Sequence, residues 1–290
     1  MFKGSIVAIV TPFKSGRVDE KALGDLIEFQ ISNGTQGIVP CGTTGESATL
    51  SHTEHNRVIE FIVETARGRV AVIAGTGSNS TDEAVSLTQH AKKARANGAL
   101  LIAPYYNKPT QEGLYQHYKK VAEAVDFPLV VYNIPGRTGV NITPQTFARL
   151  TQIKNIVAIK ESSGSLQQIS EIIHYCGDRF TLLSGDDALA LPILAVGGKG
   201  VVSVAANIIP SDMVKMVQSF VMGDLQEAQR LHYRMFGLFH ALFLETNPIP
   251  VKTALSLMGR CSAELRLPLC SLSSENLERL KQAMKEYGLI

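Results

Sequence analysis

Lys160 closes the stretch Ile156-Val157-Ala158-Ile159-Lys160-Glu161, four apolar residues followed by two opposite charges. The run reads as a short buried strand, because it is apolar and rich in β-branched residues. Side chains alternate along a strand, so Ile156, Ala158 and Lys160 are expected on one face and Val157 and Ile159 on the other. A lysine above a small alanine leaves room for a small molecule. Desolvation at such a place disfavours an ammonium, and a neutral amine is a nucleophile that condenses with a carbonyl compound to an imine. The plainer alternative is a lysine that marks where a strand meets water. The same letters match the Val-Ala-Ile-Lys strand of protein kinases, but the chain has no glycine-rich loop upstream, no His-Arg-Asp and no Asp-Phe-Gly.

Other residues with chemical potential follow short apolar runs. Cys41-Gly42-Thr43-Thr44-Gly45-Glu46 combines glycines, which allow a tight turn with exposed amides, and two hydroxyls. Amides and hydroxyls without a basic residue suit a carboxylate better than a phosphate, and no P-loop is present. Pro104-Tyr105-Tyr106-Asn107 and Tyr132-Asn133 end two further runs. Tyrosines there can be half-buried packing, or their hydroxyls can relay protons. Arg137, within Ile134-Pro135-Gly136-Arg137-Thr138-Gly139, is either a solvated loop charge or a bidentate partner for a carboxylate. His52-x-x-His55 with Glu54 has no identifiable third ligand, so no metal is expected.

The elements that must position these residues are legible as eight apolar runs: Ile6 to Val10, Gly37 to Pro40, Val70 to Ala74, Leu100 to Ala103, Leu129 to Tyr132, Ile156 to Lys160, Thr181 to Leu183 and Val201 to Val204. Amphipathic stretches separate them. In the first, Leu23, Leu26, Ile27 and Ile31 fall on one helical face. Ser51 to Glu54 and Ser80 to Glu83 read as capping boxes, and Thr143-Pro144 as an N-cap followed by proline. Eight strand–helix units predict an α/β fold, a (β/α)8 TIM barrel over residues 1–223. An open doubly wound sheet would need a complete Gly-x-Gly-x-x-Gly after its first strand; Gly75-Thr76-Gly77-Ser78-Asn79-Ser80 lacks the third glycine and follows the third run. Residues 224–290 are predicted to be a C-terminal helical appendage. In a barrel, the residues just named lie at the carboxyl ends of the strands, where active sites form.

Composition bounds the function. The chain has 290 residues, 45% hydrophobic and 19% charged, with a net charge of +2, which gives no argument for nucleic acid or a membrane surface. No apolar run is long enough to span a bilayer. Met1-Phe2-Lys3-Gly4 leads straight into a strand without signal-peptide regions. Cys41, Cys176, Cys261 and Cys270 are scattered without zinc or redox spacing. Both features lead us to expect a cytoplasmic protein.

Gly42-Thr43-Thr44-Gly45-Glu46, Tyr132 through Thr138 and Ile159-Lys160-Glu161 together resemble the dihydrodipicolinate synthase family, within the pyruvate-dependent class I aldolase and N-acetylneuraminate lyase superfamily. The likeness extends from Gly4-Ser5-Ile6-Val7 and Thr11-Pro12-Phe13 to Asn247-Pro248-Ile249-Pro250-Val251-Lys252, nearly the whole chain. It implies condensation of pyruvate with L-aspartate 4-semialdehyde in lysine (diaminopimelate) biosynthesis, through a covalent imine on Lys160 and without a cofactor. By the resemblance, Tyr132 carries the proton at the imine and is linked through Thr44 to Tyr106 of a neighbouring subunit. Thr43 and Thr44 hold the pyruvate carboxylate and Arg137 that of the semialdehyde. Backbone carbonyls of Gly185 and Val202 face the site. A homotetramer, a dimer of dimers, is implied too. So is feedback inhibition by L-lysine, at Ser47, Ala48, His52, His55, Asn79, Glu83 and Tyr105.

Rival readings are N-acetylneuraminate lyase, a 2-keto-3-deoxy sugar acid aldolase, and a barrel that binds a small acid without chemistry. The first two share the lysine and tyrosine. Arg137 in Gly-Arg-Thr-Gly, and Thr43 where the lyases typically carry serine, favour the synthase.

Overall fold

The computed structural model describes residues 2–177 and 180–290. Eight parallel strands close into a barrel: β1 (Gly4–Ala8), β4 (Gly37–Val39), β5 (Ala71–Gly75), β6 (Gly98–Ile102), β7 (Leu129–Asn133), β8 (Ile156–Glu161), β9 (Thr181–Ser184) and β10 (Gly200–Ser203). A small hairpin of β2 (Phe13–Lys14) and β3 (Arg17–Val18) lies outside it. Between the strands run α1 (Glu20–Ser32), α2 (His52–Ala66), α3 (Thr81–Lys93), α4 (Gln111–Ala124), the short α5 (Pro135–Thr138) and α6 (Pro144–Leu150), α7 (Leu166–Cys176) and α8 (Ala190–Ala195). After β10 come α9 (Pro210–Val221), α10 (Leu225–Ala241), α11 (Ile249–Leu257) and α12 (Ser274–Tyr287). The TIM barrel with a C-terminal helical region is therefore the fold. No helix among the described residues is long and apolar enough to cross a membrane.

All eight predicted runs are strands, but several begin earlier than their hydrophobic letters. β6 and β10 start at Gly98 and Gly200. The amino-terminal end of the barrel is too tight for side chains there: a Cβ on Gly200 would lie 2.2 Å from the carbonyl oxygen of Gly4. At the other end, Ile9 and Val10 run past the ladder, where Asn207 Oδ1 accepts from the Val10 amide.

Two apolar layers result. Ile6, Ala8, Val39, Ile73, Leu100, Val130, Tyr132, Ala158, Leu183 and Val202 fill the barrel interior. The outward faces of the strands join the helices in a larger core. The expected alternation along β8 fails at one point. Leu129 pairs with Ile156 but Val130 with Ala158, so Val157 is an extra residue. Ile156 is thereby turned into the outer core with Ile159, and only Ala158 and Lys160 keep the predicted inward face.

The helix signals fare unevenly. Ser51 and Glu54 form the capping box, and Thr143 caps α6 ahead of Pro144. Ser80 makes no side-chain cap, because Ser78 Oγ accepts from its amide and also donates to Glu83. On α1 the buried face is Leu23, Leu26, Ile27 and Gln30, with Ile31 only half-buried. Gln30 tolerates burial because its amide donates to the Ala206 carbonyl and accepts from Thr35. The C-terminal region is not helical throughout: 259–273 is irregular, with Gly259 at φ +68° and Pro268 within it.

Candidate active site

Strand register brings the central pair together. Tyr132 and Lys160 are direct partners in the β7–β8 ladder and share the inward face. Lys160 Nζ stands 4.0 Å from the centroid of the Tyr132 ring, and the residues are 6% and 5% exposed. Glu161 points the other way. Its carboxylate accepts from Asn133 Nδ2 at 3.0 Å and from the Ser163 amide at 2.6 Å, which ties the tops of the two strands. Burial pushes the Glu161 carboxyl upward against these bonds.

Gly185, just beyond β9, is pressed against the lysine. A Cβ there would fall 2.7 Å from Lys160 Cε and 1.9 Å from Ser162 Oγ, so only glycine leaves the lysine its place. Val202 lies in the interior layer, 2% exposed.

The loop 41–46 turns differently from its sequence reading. The left-handed residues are Cys41, at φ +52°, and Glu46, at φ +53°, not the glycines. Gly45 serves close approach instead: its Cβ would lie 3.1 Å from the Cys41 amide nitrogen and 3.2 Å from the Ile9 carbonyl. Among the described residues the amides of Thr43 and Thr44 have no acceptor, which suits a carboxylate. Thr44 is buried, and its Oγ1 accepts from Asn247 Nδ2 at 3.0 Å. Cys41 is buried, and burial pushes its thiol well above the usual range.

Beneath the loop lies a device that the sequence did not announce. Glu46 and Lys252 form an ion pair at 2.6 Å with both side chains wholly inaccessible. Lys252 Nζ also donates to the Glu264 carbonyl, and Glu46 accepts from the Arg266 amide. Burial pushes the Lys252 amine down, while the Glu46 charge pulls it up. Partners 206 positions apart leave no local signal.

Arg137 is exposed on α5, and its Nη2 donates to the Asn247 carbonyl at 3.1 Å. Asn247 thus touches both Thr44 and Arg137. Sequence reasoning missed it; the only signal was its place in the Asn247–Lys252 run.

A cavity of about 410 Å³ opens at this end of the barrel. Thr43, Tyr132 and Arg137 line it, together with Ser47, Ala48, His52, His55, Glu83 and Tyr105 from the expected lysine-binding set. Thr44, Lys160, Gly185 and Val202 are not in its wall. Within that set His52 Nε2 meets Glu83 Oε1 at 2.8 Å. The hydrogen bond from Ser78, and after it that from His52, hold the Glu83 carboxyl below its usual range. His55 bonds the Gly75 carbonyl, and burial pushes its imidazole down. The two histidines therefore diverge to different partners. The Asn79 carbonyl accepts from Asn107. Tyr106 stands apart from all of these, 90% exposed at φ +71°.

The closed barrel and the buried lysine–tyrosine pair at its carboxyl end define an aldolase-type barrel lyase. A model of the Dihydrodipicolinate synthetase family matches residues 1–287. The chain belongs to that family. It is 61% identical over 290 residues, the whole of both chains, to the 4-hydroxy-tetrahydrodipicolinate synthase of Geobacter sp. (strain M21). Among solved structures it is similar to the dihydrodipicolinate synthase of Acinetobacter baumannii complexed with pyruvate, at 48% identity, TM-score 0.98 and full coverage of both chains. It is also similar to the enzyme from Cyanidioschyzon merolae with lysine bound, at 44% identity and TM-score 0.97, covering 100% of this chain and 99% of that one.

Proposed function

We propose that this chain condenses pyruvate with L-aspartate 4-semialdehyde to give 4-hydroxy-tetrahydrodipicolinate, through an imine on Lys160. The observation that carries the reading is the pairing of buried Lys160 with Tyr132 at the carboxyl end of the barrel. The amine attacks the ketone carbon, and the ketone oxygen leaves as water. The protonated imine then draws electrons from the neighbouring methyl, which loses a proton, and the enamine so formed attacks the aldehyde, whose oxygen takes up a proton. The amine of the semialdehyde then displaces Lys160 from the imine carbon, closing the ring and freeing the lysine. Each step moves a proton, so a chain of hydroxyls, Tyr132 to Thr44 to Tyr106, serves as acid and then as base. Thr43 and Thr44 receive the pyruvate carboxylate, and Arg137 that of the semialdehyde. The backbone carbonyls of Gly185 and Val202 complete the pocket. All the chemistry uses side chains, so the reading needs no cofactor.

The division into a catalytic barrel (1–223) and a helical unit (224–290) belongs to this reading, with the second unit supplying Asn247 and Lys252. So do a cytoplasmic location, a homotetramer in which Tyr106 serves its neighbour, and feedback by L-lysine at the His52–Glu83 end of the cavity. The exposure of Tyr106 supports the second of these, and the lysine bound to the similar C. merolae enzyme supports the third.

Borohydride reduction followed by peptide mass spectrometry tests the mechanism. With pyruvate, one adduct is expected, on the peptide containing Lys160. Lys108, Lys199 and Lys252 should stay unmodified; Lys252 Nζ is already held by Glu46 and the Glu264 carbonyl. An adduct elsewhere, or none, would remove the mechanism.

A further inference from the structure

Asn247, between α10 and α11, is 5% exposed and stands where the two proposed substrate ends meet. Its side chain and its backbone do separate things. Nδ2 donates to Thr44 Oγ1 at 3.0 Å, whereas the backbone carbonyl accepts from Arg137 Nη2 at 3.1 Å. Its Oδ1 is buried without a donor among the described residues, so this amide is held by its donor end alone. Buried polar atoms are nearly always paired, and an orphaned one in a site calls for a functional explanation.

A threonine hydroxyl has one proton to give and lone pairs to accept. While Thr44 Oγ1 accepts from Asn247, its own proton is available to another oxygen. We propose that Asn247 is a positioning residue that sets the direction of proton transfer through Thr44; this rests on the reaction proposed above. Thr44 gives its proton to the Tyr132 oxygen as Tyr132 protonates the departing ketone oxygen. It regains one from Tyr106, which is 90% exposed and takes one from solvent, so the proton that leaves with the water is replaced and the chain returns to its starting state. The amide donor steadies the Thr44 oxygen between those two events, as a fixed hydrogen-bond donor steadies any developing negative charge.

The split between side chain and backbone makes the role testable. Asn247→Asp replaces the donor by a carboxylate, which would hold the Thr44 proton for itself, and Asn247→Ala removes the donor. Neither deletes the backbone carbonyl that Arg137 uses. In both variants kcat should fall about tenfold to a hundredfold. KM for the semialdehyde should stay within about twofold, because the backbone contact to Arg137 remains. The pyruvate adduct should still form, but more slowly. Melting curves identify folded protein, and Asn247→Ala carries the test if the Asp variant does not fold. Unchanged kcat in folded Asn247→Ala, or raised KM with unchanged kcat, would overturn the role of Asn247 alone. Absence of a pyruvate adduct on the wild-type enzyme would instead overturn the reaction, and this role with it.

Discussion

Tyr132 is 5% exposed with its ring against Lys160, whereas Tyr106 is 90% exposed and holds a left-handed backbone. Both are tyrosines at the mouth of the same barrel, and both belong to the proposed hydroxyl chain. Tyr132 is placed by a strand ladder, by the interior layer around it and by Lys160. Tyr106 is placed by a loop that spends backbone energy at Tyr106 and Lys108, both at positive φ, to present a large apolar ring to solvent. One side of the site is built within a single chain. In the proposed tetramer a second chain would cover the other.

The most damaging way to probe that difference is at Tyr106. Tyr106→Phe should lower turnover by about a hundredfold, the usual weight of a proton-transfer group, while a pyruvate adduct on Lys160 persists. Sedimentation at assay concentration should show a tetramer; a fully active monomer would contradict the proposed reliance on a neighbour.

Arg137 sits between the two sides, exposed yet tied to buried Asn247. Arg137→Ala should cost about 1.5–3 kcal/mol in use of the semialdehyde, as a lost charged hydrogen-bond partner does, and leave imine formation intact. A folded variant that no longer traps pyruvate would move Arg137 to the first substrate.

On the cavity wall towards Tyr105, L-lysine at saturation should reduce activity about 5- to 150-fold, the range of ordinary allosteric coupling. Glu83→Ala should abolish most of that response, since Glu83 is the carboxylate available there for an ammonium. Activity indifferent to millimolar lysine in a steady-state titration would remove the regulatory site.

On the built side the expected effect is on stability and not on turnover. Asp187 is buried, its Oδ2 accepts from the Val204 and Ala205 amides, and burial pushes its carboxyl up to about 6. Its folded pKa lies above the unfolded one, so the folded state holds the proton longer. This group's contribution to stability therefore falls as pH rises from about 4 to about 6, by roughly 2 kcal/mol. Asn at this position keeps the acceptor but cannot ionise. Urea unfolding at pH 5 and pH 7.5 should show Asp187→Asn gaining on the wild type at the higher pH, and parallel curves would count against the burial effect.

The barrel was legible because each strand is a short apolar run and the stretches between them carry a helical period, some with a cap such as Ser51 or Thr143, and such signals are local. Lys160 was legible for the same reason, as a charge ending an apolar strand. The bulge at Val157 was not, because it is set by pairing with Leu129 and Val130 on another strand. Nor was the fate of Glu83: three residues after Ser80 it looks like half of a capping box, yet Ser78 and His52 compete for it in space.

By itself, then, the sequence determined the order of strands and helices, the strand-end lysine and tyrosine, and the hydroxyl loop. These depend on periodicity and on the chemistry of neighbours along the chain. Only the tertiary structure decided that Gly185 must lack a side chain beside Lys160, that Lys252 balances Glu46 under the loop, and that Asn247 joins Thr44 to Arg137. Each of these joins residues far apart along the chain. Burial sets their value, since a charge or amide out of water needs a partner wherever the fold can bring one.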